Sequence, residues 1–282
     1  MPELPEVETV RRGLEPLLVG KTICGIQIKQ PAILLPEPEA FATILPGLQI
    51  MALKRQGKYL IFELSDDWRL VIHLRMTGKL LWTPQGQSPV PIHTHVIIDF
   101  PIGQQLRFHD VRRFGRWWLV PANHLQQISG LAKLGPEPIQ ADFSGLMLAK
   151  QLKKKTKTKI KSALLDQTIV AGLGNIYVDE TLFTARIHPQ RTVDSLTIKD
   201  INKLAEAAQQ VLELAIERRG TSFRDYLDGL AQPGENQNYL QVFHRAGEPC
   251  PHCGNLIQRE KIAGRSSFYC PICQELARSL DK

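Results

Sequence analysis

Apolar positions near the start of the chain recur at helical spacing. Val7, Val10, Leu14 and Leu17 lie three or four residues apart and so share one helix face. Pro5 suits the first turn, where its missing N–H costs no hydrogen bond, and Gly20 is placed to close the helix. The period then shortens. Strands are predicted at 23–28, 50–53, 59–64, 70–74, 79–82, 96–100, 105–108 and 117–120. Turn-forming residues separate many of them, at Gln56-Gly57, Asp66-Asp67, Pro84 to Gly86 and Ile102-Gly103. Short strands without regular intervening helices predict a sandwich or barrel.

Beyond residue 131 the period lengthens again. Helices are predicted over 143–152 and 160–169. Ile201, Leu204, Ala205, Ala208, Val211, Leu212 and Ala215 mark a long amphipathic helix. Gly135-Pro136-Glu137-Pro138 reads as a linker. The chain is thus an α+β multidomain protein. Its expected parts are a β-rich domain at 1–131, a linker and domain entry at 132–150, a helical domain at 151–240 and a cysteine module at 241–282.

Composition changes this picture in two ways. The 282 residues are 43% hydrophobic, with no run of eighteen apolar residues, so no membrane partner is expected. The start, Met1-Pro2-Glu3-Leu4-Pro5-Glu6, lacks the basic-then-apolar order of a secretory signal. The formal net charge of +7 favours an anionic partner. Six lysines fall within 153–161, as either a solvated helix face or a DNA-backbone patch.

The cysteines carry the sharpest chemistry. Cys250-Pro251-His252-Cys253 and Cys270-Pro271-Ile272-Cys273 are CxxC pairs separated by sixteen residues. Four thiolates satisfy tetrahedral zinc and leave no open position, so a structural ion is expected rather than a catalytic one. Strand-like stretches at 256–259 and 267–269 predict a hairpin with Arg265 near its tip, suited to a phosphate. Cys24, in an alternating stretch, is expected to be a buried or half-buried thiol. Gly172-Leu173-Gly174-Asn175 allows close approach of a phosphate, with Asn175 a candidate cap for the helix that follows.

Several motifs, in order, match a known family. They are Pro2-Glu3-Leu4-Pro5-Glu6-Val7-Glu8, Gly57-Lys58-Tyr59-Leu60 and His73-Leu74-Arg75-Met76-Thr77-Gly78. Asp110-Val111-Arg112-Arg113-Phe114-Gly115, Gly172-Leu173-Gly174-Asn175-Ile176-Tyr177 and the terminal cysteines continue the series. Over essentially the whole chain the sequence resembles bacterial formamidopyrimidine-DNA glycosylase, the 8-oxoguanine glycosylase and abasic-site lyase family.

The resemblance implies an N-terminal β-sandwich with flanking helices. A helical domain with a helix–two-turns–helix element and a four-cysteine zinc hairpin follows, with DNA in the cleft between. It implies that Pro2, exposed by loss of Met1, is the nucleophile, that Glu3 is the acid/base and that Glu6 is a supporting carboxylate. Lys58 would reach the lesion's backbone. His73, Asn175 and Arg265 would contact phosphates, and Met76, Arg112 and Phe114 would fill the gap left by the flipped nucleotide. Residues 221–239 resemble a lesion-recognition region, where Gly229 and Gly234 suit a flexible loop closing over the base. Thr77 stands where some relatives carry an acid, so one potential lesion contact is not carried over by the resemblance, while the backbone chemistry is. The implied partner is double-stranded DNA with oxidised purines, bound by a monomer in the bacterial cytoplasm.

Two other functions fit parts of the sequence. The sister glycosylase for oxidised pyrimidines shares the proline chemistry, but usually carries glycine where Leu4 stands. A non-catalytic zinc-finger DNA-binding protein would explain the charge and the cysteines. It would not explain Pro2-Glu3 together with the distant gap-filling residues.

Overall fold

The computed structural model describes residues 1–84, 89–223 and 226–276. The turn predicted from Pro84 to Gly86 lies partly outside them, as do two residues of the 221–239 region.

Helix α1 spans Leu4–Leu18 and starts with a capping box, in which Glu3 is the N-cap and Glu6 the third helical residue. Val7, Val10 and Leu14 of the predicted stripe are buried against the core, whereas Leu17 is only half-buried and its neighbour Leu18 takes the buried place. Gly20, at φ +85°, turns the chain away.

The strands follow as β1 (Gly25–Ile28), β2 (Leu34–Leu35), β3 (Ile50–Gln56), β4 (Tyr59–Leu64), β5 (Trp68–His73), β6 (Lys79–Thr83), β7 (Thr94–Asp99), β8 (Gln105–His109) and β9 (Arg116–Pro121). They form two sheets, ordered β1-β7-β8-β6 and β2-β9-β5-β4-β3. Pairing is antiparallel except between β2 and β9. Leu80, Val96, Ile98, Leu106 and Phe108 of the first sheet share one core with Phe62, Leu70, Ile72, Trp117 and Leu119 of the second. Phe108 meets Trp117 edge to face at 5.5 Å, joining the two sheets. Short helices α2 (Pro38–Ile44) and α3 (Ser129–Ala132) flank them.

Cys24 corrects one expectation, for it is exposed. It immediately precedes β1, and the alternation that buries Ile23 turns Cys24 outward.

The chain divides into two compact units, Met1–Ala132 with Arg218–Gln237, and Lys133–Glu217 with Asn238–Lys282. Residues 218–237 therefore fold with the sheets, whereas the linear reading groups them with the helices. Local bonds give the reason. The Thr221 N–H donates to Glu6 Oε1 at 2.7 Å, and the Tyr226 hydroxyl donates to the Glu6 carbonyl at 3.2 Å. The Trp82 N–H donates to the Gly229 carbonyl at 3.0 Å.

The second unit contains α4 (Gly145–Leu152), α5 (Ile160–Leu165), α6 (Asn175–Thr184), α7 (Ile198–Glu217) and the hairpin β10 (Gln258–Ile262) and β11 (Arg265–Tyr269). Helix α5 stops short of 169 because Asp166 caps a turn, accepting from the N–H and hydroxyl of Thr168. Lys161 departs from both readings of the lysine run, since its side chain is fully buried. Among the described residues no helix is long and apolar enough to cross a membrane.

Candidate active site

Pro2, Glu3 and Glu6 are buried at the start of α1, while Met1 remains 49% exposed. The Glu6 carboxylate organises this end. Its Oε2 accepts from the Glu3 N–H at 2.7 Å and its Oε1 from the Thr221 N–H at 2.7 Å. One side chain thus fixes Glu3, the neighbour of Pro2, and secures the 218–237 segment within the same unit. Gly220 is required here: at φ +76°, a Cβ on it would stand 2.8 Å from Glu6 Oε1. Burial, reinforced by the Glu6 charge, holds the Tyr226 phenol far above its usual range. Neither Gly220 nor Tyr226 stands out in the sequence as a site residue. Both lie more than two hundred residues from Glu6, so no local pattern points to them.

His73 closes β5 and is buried against the edge of Tyr59, with ring centres 4.6 Å apart. Burial first, then the charges of Arg75 and Lys58, push its ring down to about 3. The ring is neutral near pH 7. Its Nδ1 accepts from the Arg75 N–H at 2.9 Å, which leaves Nε2 as the N–H donor. A neutral donor of this kind can hold a phosphate oxygen without titrating in the ordinary pH range. Lys58 is also buried, following Gly57 at φ +56° in the β3–β4 turn.

Met76, Arg112 and Phe114 come together. Arg112 Nη1 lies 3.0 Å from the Met76 sulfur, and its guanidinium sits 4.6 Å over the Phe114 ring. Met76 and Phe114 are exposed. Their loop hangs on Asp110, which is fully buried. Asp110 Oδ2 accepts from the Gly115 N–H at 2.8 Å, and Oδ1 from the Arg112 N–H at 3.2 Å and the Thr77 hydroxyl. Thr77 thus binds the loop's anchor. Asp110 heads a motif quoted from the sequence, yet only the structure shows what it holds.

In the second unit, Asn175 is not the cap of α6; Gly174 takes that place and Asn175 is the first helical residue. Asn175 Nδ2 donates to the Ser266 carbonyl at 3.0 Å, while its Oδ1 is buried without a hydrogen-bond partner. Lys161 Nζ donates to the same carbonyl at 2.9 Å and to Asp179 Oδ1 at 2.7 Å. The other oxygen of Asp179 accepts from the Phe268 N–H at 3.0 Å. Strand β11 is therefore fastened at Ser266 and Phe268, just after Arg265. Ala263 and Gly264, at φ +47° and +78°, form the two-residue turn, and Arg265 stands exposed beside it.

The sulfurs of Cys250, Cys253, Cys270 and Cys273 all lie within 4.8 Å of one another. Cys250 and Cys273 are 3.8 Å apart, and Cys253 and Cys270 are 3.5 Å apart. Tetrahedral zinc with bonds of about 2.3 Å requires sulfurs roughly 3.8 Å apart. The donor set and its spacing fit that ion.

Comparison with known proteins agrees along the chain. The profile for the formamidopyrimidine-DNA glycosylase N-terminal domain matches residues 1–117. That for the formamidopyrimidine-DNA glycosylase H2TH domain matches 134–226. That for the zinc finger found in FPG and IleRS matches 247–276. A formamidopyrimidine-DNA glycosylase of Pelotomaculum thermopropionicum is 47% identical over 277 residues, covering 98% of this chain and 100% of the relative. A Lactococcus lactis FPG variant, solved with Fapy-dG-containing DNA, is similar at TM-score 0.91 and 43% identity, covering 97% of this chain and 100% of that one. The Lactococcus lactis protein with abasic-site DNA gives the same score and identity, covering 97% and 99%.

Proposed function

The chain belongs to the formamidopyrimidine-DNA glycosylase family, and from that premise we propose how its residues excise oxidised purines and cut the backbone at the abasic site. The protein is a bifunctional DNA N-glycosylase and abasic-site lyase. Its substrate is duplex DNA carrying 8-oxoguanine or formamidopyrimidines, and its setting is the chromosome in bacterial cytoplasm.

Removal of Met1 turns the Pro2 nitrogen into a secondary amine. An α-amine has a reference pKa near 7.7–8, so a useful fraction carries a free lone pair at neutral pH. That lone pair attacks the sugar C1′. The bond from C1′ to the purine breaks, and the base leaves with the electron pair and takes up the proton that the Pro2 nitrogen gives up on bonding to C1′. The sugar ring opens as the ring oxygen leaves C1′, accepts a proton from Glu3, and a C1′ iminium forms on Pro2. The iminium acidifies the neighbouring C2′ proton. Loss of that proton expels the 3′ phosphate, and a second elimination expels the 5′ phosphate. Water then releases Pro2.

The observation that carries this reading is the capping box at the start of α1. It fixes the backbone at Glu3, beside Pro2, by tying the Glu3 N–H to Glu6. Lys58 and His73 support the backbone near the lesion. Met76, Arg112 and Phe114 stand in for the extruded nucleotide, and Asn175 and Arg265 hold phosphates. Cys250, Cys253, Cys270 and Cys273 would hold one zinc ion, which supplies shape to the hairpin and no chemistry to the reaction.

The test uses Met1-processed protein and a duplex with one 8-oxoguanine opposite cytosine. Base release and strand cleavage are the expected products. Glu3→Gln should slow base release by about 100-fold or more while binding of an abasic-analogue duplex stays within about threefold. Normal excision by that variant contradicts the role of Glu3. Absence of base release by the parent protein contradicts the function.

A further inference from the structure

The zinc hairpin has two faces. Residues directly opposite each other in an antiparallel pair share a face. Arg259 is opposite Phe268 and Lys261 opposite Ser266, whereas Arg265 is opposite Ile262. Strand alternation therefore puts Arg259 and Lys261 on the face away from Arg265.

Arg259 is preorganised without an acid. Its guanidinium lies 5.9 Å over the Phe268 ring, and its Nη2 donates to the Ser266 hydroxyl at 3.0 Å. Phe268 is braced in turn by Phe243, 5.2 Å away edge to face. Lys261 is exposed and makes no ion pair among the described residues. Elsewhere in this unit Lys155, Lys157 and Arg245 are matched with Asp166, Asp194 and Glu248. Glu260 lies between the two cations in sequence, but its carboxylate accepts from the Tyr269 hydroxyl at 3.2 Å and from Gln190. A hollow of about 350 Å³ opens beside this face, lined by Arg259, Glu260, Lys261, Gly264 and Ser266.

We propose that Arg259 and Lys261 form a second phosphate-binding face of the zinc hairpin, which grips the DNA backbone independently of Arg265. This rests on the function proposed above. A guanidinium held by a ring and a hydroxyl keeps its remaining N–H groups for a tetrahedral anion. The lysine beside it adds a point charge. Neither cation is neutralised within the described residues, so a polyanion supplies what the fold leaves out.

The test is the salt dependence of binding by the full, zinc-loaded protein to a duplex with a tetrahydrofuran abasic analogue. Arg259→Gln with Lys261→Gln should reduce the slope of log K against log salt by about 1.8, and affinity by about tenfold, if two phosphate contacts are lost. Base release at saturating protein should be unchanged, because Pro2 and Glu3 are untouched. Lys261→Gln alone, at an exposed position, should reduce the slope by about 0.9; it guards against a misfolded double variant, which zinc content would reveal. An unchanged slope in Lys261→Gln and in the zinc-retaining double variant, with a reduced slope in Arg265→Gln, overturns the proposal and leaves the function standing. A parent protein that neither binds nor cuts lesion DNA overturns the function instead.

Discussion

Glu6 illustrates how much one side chain can determine. It is 1% exposed, with one oxygen on the Glu3 N–H and the other on the Thr221 N–H. Gly220→Ala would press a methyl group against that carboxylate at a positive φ. The expected cost is about 1–2 kcal/mol from the backbone alone, read as a lower midpoint in thermal unfolding, together with slower base release. An unaltered midpoint would show that the contact yields freely. His73 gives a second prediction at this scale. Its ring is pushed down to about 3 from an unfolded value of 6.5. The folded protein therefore resists a proton that the unfolded chain accepts. The resulting stability is complete above pH 6.5 and is lost as pH falls from there towards about 3. An NMR titration should show the His73 ring still neutral at about pH 5, and His73→Gln should flatten that part of the stability curve. The roles of Pro2 and Glu3 were legible only through family resemblance. Taken alone, they are ordinary residues of a first helical turn.

The elements were legible where their pattern is local. The α1 stripe, most strands, α7 and the cysteine pairs follow from spacing within a few residues. Partnerships across the chain were not. Lys161 reads as one of six lysines in a basic run, yet it is fully buried with Asp179 and the Ser266 carbonyl. Those partners lie 18 and 105 residues away. Breaking such a buried pair typically costs about 3–5 kcal/mol, so Lys161→Met should be strongly destabilising in chemical denaturation. A variant as stable as the parent would contradict the importance of that anchor. The zinc hairpin offers an independent measurement. Metal analysis should find about one zinc per chain, and chelation should weaken duplex binding as the hairpin loses its shape. Full binding by metal-free protein would contradict the structural role of the site.

At the scale of the whole molecule, the net charge of +7 and the spread of candidate phosphate contacts describe a protein that holds DNA by its backbone. About five neutralised phosphates would give a log–log salt slope of about −4 to −5. A flat response would reject a phosphate-dominated complex. Grip alone does not distinguish an enzyme from a binding protein; a covalent intermediate does. The most direct measurement is borohydride reduction during reaction of Met1-processed protein with lesion-bearing duplex, followed by peptide mass analysis of the trapped adduct. The predicted result is a protein–DNA adduct on the Pro2 nitrogen, lost when Met1 is retained. An adduct mapped reproducibly to Lys58 in the fully processed protein would contradict the assignment of the nucleophile.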